Sequence, residues 1–198
     1  MSEVRTPEHP VDSLFLKRWS PRAFTDEAID DATLLTLFEA ARWAPSAYNA
    51  QPWRFIYSKN GSESWPQFLE ILLEFNRSWA RNASALVIVL SKTSFTPPGK
   101  TEPQPFPSHS FDTGAAWVSL ALQATISGWA AHGIGGIDKN KARTLLAIPD
   151  DYAIEAGIVI GKQGDKAGLP ESLRGRETPS TRKPLAGLIA EGGFTFTE

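Results

Sequence analysis

Ala44-Pro45-Ser46-Ala47-Tyr48-Asn49-Ala50-Gln51-Pro52-Trp53 separates two kinds of periodicity. Before it, Leu34, Leu37, Phe38 and Ala41 recur at i, i+3, i+4 and i+7, one face of a helix over Ala32 to Trp43. Asp30 or Asp31 is placed to cap that helix, and Pro45 stops it. After it, Trp53 to Ser58 (WRFIYS) is a strand candidate, with Gly61 opening a turn. The two prolines stiffen the connection, so Ser46, Asn49 and Gln51 are held in place as neutral donors and acceptors. Such groups suit a heteroaromatic ring with alternating C=O and N–H. They equally suit a plain helix-ending turn that satisfies its own backbone, which is the simpler reading of this stretch alone.

Working outward, Leu14 to Phe24 (LFLKRWSPRAF) is compact, basic and aromatic, and residues 1–13 before it read as a loose arm. Trp65 to Phe75 reads as a second amphipathic helix. Ala85 to Ser91 (ALVIVLS) is an unbroken apolar run of strand length, as in a strand buried on both faces. Residues 92–110 hold five prolines among Ser, Thr and Gly and read as a mobile loop or lid without elements of its own. Phe111 to Ala131 is the longest helical candidate, with Gly133 placed to end it. Its polar residues mark a core helix; a membrane span needs about 20 predominantly apolar residues. Asp138 caps a short helix, Lys139 to Ala147, and Ile154 to Ile160 is a third strand. The tail, Arg182 to Glu198, is too apolar to hang free in water and is expected to pack on something, a partner subunit included. The order of elements is an α+β pattern around a modest sheet, without a regular βαβ rhythm.

The chain has 198 residues, one domain's worth, and a folded monomer of that size buries roughly 70% of its extended surface. Twenty basic and 22 acidic residues leave a net charge of -2, so no basic excess points to nucleic acid. The absence of cysteine removes disulfides, thiolate metal sites, iron–sulfur clusters and cysteine nucleophiles. His9, His109 and His132 show no metal spacing, so no metal is expected. Met1 to Pro10 is polar and lacks the apolar stretch of a signal peptide, which makes a cytoplasmic location the expectation, with no membrane partner. Seven Trp and eleven Phe suit a large core, a large interface or a planar ligand.

Two further clusters carry possible chemistry. Arg18-Trp19-Ser20-Pro21-Arg22 sets two guanidiniums four residues apart around a hydroxyl, a pattern that can bind phosphate or form a solvated basic loop. Gly133-Ile134-Gly135-Gly136-Ile137-Asp138 has glycines that let backbone N–H groups approach a ligand. Read as following a helix, and without a complete G-x-G-x-x-G, it is no dinucleotide fingerprint.

Together these pieces resemble the flavin-dependent nitroreductase family: R-W-S-P-R at 18–22, A-P-S-A-Y-N-A-Q-P-W at 44–53, F-N at 75–76, G-I-G-G-I-D at 133–138 and R-K-P-L at 182–185. The resemblance runs over about residues 14 to 190 and is most specific in the 44–53 segment. It implies a single α+β domain over 1–198, with a mostly antiparallel sheet flanked by helices. It also implies an intertwined homodimer whose extended terminal arms, residues 184–198 among them, wrap the partner. FMN would lie at the subunit interface. Arg18, Ser20 and Arg22 match positions holding the phosphate, ribityl chain and ring edge, with a backbone contact from Trp19. Pro45, Ser46 and Ala47 match a segment that meets the flavin of the other subunit, and Asn49 and Gln51 lie in it. Asn76 matches a ring-binding Asn, Gly135 and Gly136 the backbone near the reactive nitrogen, and Arg182, helped by Lys183, a phosphate ligand. Some members carry a second basic residue where this chain has Ser180.

The function so implied is an NAD(P)H oxidoreductase. NADH or NADPH would reduce FMN, and a small electron-poor acceptor (a nitroaromatic, quinone or enal) would then take the hydride in a ping-pong scheme. No catalytic side chain is assigned, because a cofactor would carry the chemistry. The alternatives are a flavin-sequestering protein without turnover, or a relative that fragments flavin, dehalogenates or oxidises its substrate.

Overall fold

The computed structural model describes residues 5–196. Its centre is a four-stranded, wholly antiparallel sheet in the order β1-β2-β6-β5, built from β1 (Trp53–Lys59), β2 (Ala85–Lys92), β5 (Ala130–Ile134) and β6 (Tyr152–Gly161). Helices cover both faces. On one side lie α2 (Asp31–Arg42) and α5 (His109–Ile126); on the other lie α3 (Trp65–Ile71), α4 (Glu74–Ala80), α6 (Lys139–Leu145) and the short α7 (Glu171–Arg174). The central strand explains its own composition. Ala85, Val87 and Val89 enter the core under α2 and α5, while Leu86, Ile88 and Leu90 enter the core under α3, α4 and α6. A strand covered on both faces needs an apolar residue at every position.

Local rules set several ends. Asp30 accepts from Thr33 N at 2.6 Å and caps α2; Asp138 accepts from Lys141 N at 2.9 Å and caps α6. Three expectations are corrected. Helix α5 stops at Ile126 because Gly128 takes φ +73, and the chain returns as strand β5 through Ala130–Ile134. Gly133 is therefore a strand residue, and Gly135-Gly136 follow a strand. The helix expected over Trp65 to Phe75 is two helices, because Leu72 turns extended to bridge Ile137. The proline-rich segment holds a small ribbon, β3 (Ser94–Phe95) with β4 (Gln104–Pro105), pinned by the buried Phe106.

The N-terminal arm runs into α1 (Ser13–Lys17), capped by Asp12, and the C-terminal arm lies beside it: Leu185 N donates to Glu8 Oε1 at 3.0 Å. Leu188, Ile189 and Phe194 of the tail stay exposed within this chain. No helix among the described residues is long and apolar enough to cross a membrane.

Candidate active site

The Arg18 loop is built by tethers from two distant segments. Arg5 donates through Nη1 to the carbonyls of Leu16 (3.0 Å) and Arg18 (2.7 Å), and through Nε to that of Ser180 (2.9 Å). Arg182 donates to Ser180 Oγ at 3.0 Å, and Arg18 to Ser20 Oγ at 3.4 Å. Three guanidiniums thereby share one corner of the molecule. Burial and then the positive Arg182 hold the pKa of Arg18 below its ordinary value; Arg5 is lowered by burial, Arg182 and Arg18. No carboxylate among the described residues forms an ion pair with any of the three. Clustered cations without an ion-paired acid repel one another, and an anion would relieve that repulsion. Lys183 lines the hollow between the two arms beside Arg182.

Arg18 and Ser20 open onto a cleft of about 490 Å³ whose other walls are Trp117, Val118 and Ala121 of α5 and the Gly133–Gly135 end of β5. Gly133 is required there: a Cβ would stand 3.0 Å from the Trp117 ring. Nothing lies within 4 Å of where a Gly135 Cβ would stand, so that edge is open. Gly136 is the reverse. Its carbonyl accepts from the buried Asn76 Nδ2 at 3.1 Å, and a Cβ would come within 2.2 Å of that nitrogen. Asn76 is set there by the break before α4, where Leu73 N also donates to Gly136 O.

Not every residue of the R-W-S-P-R segment reaches the cleft. Trp19 lines a separate hollow with Trp129 and Gln163. Arg22 lies over the Trp79 ring, 5.9 Å from its centroid, and its Nε is buried without a partner. Nor does the 45–51 loop line the cleft of this single chain. Its Ala47 N donates to the buried Asp112 of α5 at 3.1 Å, and Gln51 N to Ser46 Oγ at 3.0 Å. Tyr48, Asn49 and Gln51 all take left-handed backbone, φ 54, 54 and 48. Gln51 Nε2 folds back onto Asn49 O at 3.1 Å, Tyr48 stacks on Phe95 of the ribbon, and Pro45 is exposed.

The family model of the nitroreductase family matches residues 16–78, from the Arg18 loop to Asn76. A relative from Burkholderia lata, provisionally named NADH dehydrogenase/NAD(P)H nitroreductase, is 33% identical over 182 residues, 83% of this chain and 91% of the relative. The chain belongs to the nitroreductase family. A solved structure described as an oxidoreductase containing FMN is 51% identical to this chain, with TM-score 0.94 over 98% of this chain and 97% of that one. A Streptomyces coelicolor relative, again provisionally named NADH dehydrogenase/NAD(P)H nitroreductase, is 38% identical over 86 residues; the match spans 43% of this chain and only 41% of that relative.

Residues that the motifs do not disclose shape this region. Arg5 sits in a polar arm with no pattern to mark it. Glu177 accepts from the backbone N–H of Arg22 (2.7 Å) and Ala23 (2.8 Å), fastening the far end of the Arg18 loop across more than 150 residues of sequence. Trp117 forms a wall of the cleft from the middle of α5.

Proposed function

We propose that this protein binds FMN along the Arg18–Gly135 cleft, takes a hydride from NADH or NADPH, and passes it to a small electron-poor acceptor such as a nitroaromatic, quinone or enal. The observation that carries this reading is Arg18 at one end of a cleft whose other end is glycine backbone, with Arg182 close enough to lower the proton affinity of Arg18 and Arg5, and Arg5 joined to the Arg18 loop by hydrogen bonds. The residues present fit the group. The three guanidiniums suit a phosphate dianion, and the open edge at Gly135 leaves room for a ring beside the main chain. When bound, FMN supplies the hydride chemistry. The chain's part is to bind and orient. Arg18, Arg182 and Arg5 hold the phosphate, and Ser20 lies next along the cleft. Asn76 uses one amide hydrogen on Gly136 O and keeps the other, with its carbonyl, for a ring edge. Trp117 and Ala121 wall off water.

The working unit is a homodimer. On α5, Phe111 (83% exposed), Val118 and Ile126 form an apolar stripe, with Trp43 and Tyr48 exposed on neighbouring segments. A second copy laid on that stripe would also bring its own 45–51 loop, anchored on α5 by Asp112, toward the cleft.

The test is an anaerobic visible spectrum of the purified protein before and after NADH or NADPH. Yellow protein that bleaches promptly supports the reading and reports the preferred donor. Yellow protein that stays oxidised favours flavin storage, and colourless protein that takes up no FMN defeats it.

A further inference from the structure

One side chain of the N-terminal arm touches three segments at once. Arg5 gives its two Nη1 hydrogens to Leu16 O and Arg18 O, and its Nε hydrogen to Ser180 O. A single planar group thus joins its own arm, the Arg18 loop and the start of the C-terminal arm, 175 residues away in sequence. A guanidinium has five hydrogens to give, and no described residue accepts from the remaining two, on Nη2. Lysine could not copy this arrangement, because an ammonium lacks the fixed planar fork.

Little else holds the arms to this chain. Leu185 N donates to Glu8 Oε1 at 3.0 Å. Val11, Phe15 and Leu188 border the hollow of about 410 Å³ between the arms, and each is at least 50% exposed. Segments with few buried apolar contacts open at low free energy. The cations work against docking as well: burial and then Arg182 disfavour the charge on both Arg5 and Arg18. Each time the arms dock, Arg5 is carried up to Arg18 and Arg182. An anion at that point turns a repulsive approach into an attractive one.

We propose that Arg5 couples both terminal arms to the flavin phosphate: the anion held by Arg18 draws in the free Nη2 of Arg5, and Arg5 brings the two arms with it. The inference rests on FMN lying in the Arg18–Gly135 cleft with its phosphate at the Arg18 end. Binding and arm docking are then linked, since a ligand that meets Arg5 only when the arms are down stabilises the docked state.

The test is hydrogen exchange, read by mass spectrometry, on the flavin-free protein and with saturating FMN or riboflavin, which lacks the phosphate. The amides to follow are Phe15 and Arg18, bonded to Asp12 O and Leu14 O, and Leu185 and Leu188, bonded to Glu8 Oε1 and Leu185 O. FMN should slow both groups about tenfold, inside the roughly 100-fold that a ligand at 100 times its Kd can supply. Riboflavin, at a concentration that slows residues 133–136 as FMN does, should leave both arms unchanged. At saturating FMN, Arg5→Lys should lose the protection of Leu185 and Leu188 and keep that of 133–136. Equal protection of the arms by riboflavin, or wild-type protection in Arg5→Lys, would overturn the coupling. Protection by FMN that stays within 133–136 defeats the coupling alone; protein that takes up no FMN defeats the reading beneath it as well.

Discussion

The two ends of the cleft are made by opposite means. The Gly136 end is backbone pressed against a buried amide: Asn76 Nδ2 and Leu73 N both donate to Gly136 O. The Arg18 end is charge held by loops, with Arg5 and Arg182 arriving on two terminal arms and fixed by hydrogen bonds to backbone carbonyls and the Ser180 hydroxyl. Shape decides the first end and electrostatics the second. The first should therefore fail by misfolding, and the second by losing its ligand while the fold survives.

The largest effect belongs to the charged end. Replacing Arg18 and Arg182 together by Ala should weaken FMN binding by at least about 100-fold, since each hydrogen bond to a charged group contributes about 1.5–3 kcal/mol. The melting temperature of the flavin-free protein should stay level or rise, because burial and the nearby Arg182 already disfavour the Arg18 cation. Fluorescence titration and thermal melts check both halves; a matching loss of fold stability would erase the contrast. Salt should weaken FMN binding by wild type more than by the double variant.

At the packed end, Gly136→Val should cost about 3 kcal/mol of fold stability, an overpacking penalty, because its Cβ meets Asn76 at 2.2 Å. Denaturant unfolding of the flavin-free protein measures it, and an unchanged midpoint would mean that Asn76 moves freely. Between the two ends, Glu177→Ala should cost about 2 kcal/mol by orphaning two backbone donors. Glu177→Gln keeps an acceptor and should recover most of that.

The smallest effect is acid sensitivity beside the packed end. Burial lowers the pKa of His132 below 6.5, against the raising influence of its bond with Pro21 O. The unfolded chain then takes up this proton first. Stability should be complete above pH about 6.5 and decline as pH falls, by no more than about 1.4 kcal/mol per unit. Melting curves between pH 5 and pH 8, which lie about a unit and a half to either side of that midpoint, should flatten in His132→Gln.

Helices α2 and α6 and strands β1, β2 and β6 were legible from periodicity and caps. Strand β5 was not. Ala130–Ile134 continues the apolar run of α5 in register, and the break rests on Gly128 alone, one glycine in a run rich in helix formers. The split at Leu72 was hidden because no local residue demands it; its cause is Ile137, more than 60 residues away. Arg5 and Glu177 act through partners remote in sequence.

The 45–51 loop carries a consequence for change over time. Tyr48, Asn49 and Gln51 each sit in backbone that glycine enters freely and other residues enter at about 1–3 kcal/mol. A library selected only for heat resistance should therefore gather glycine at Asn49, whose side chain is exposed. One selected for FMN binding should resist it, so this single codon would record which pressure a lineage has faced.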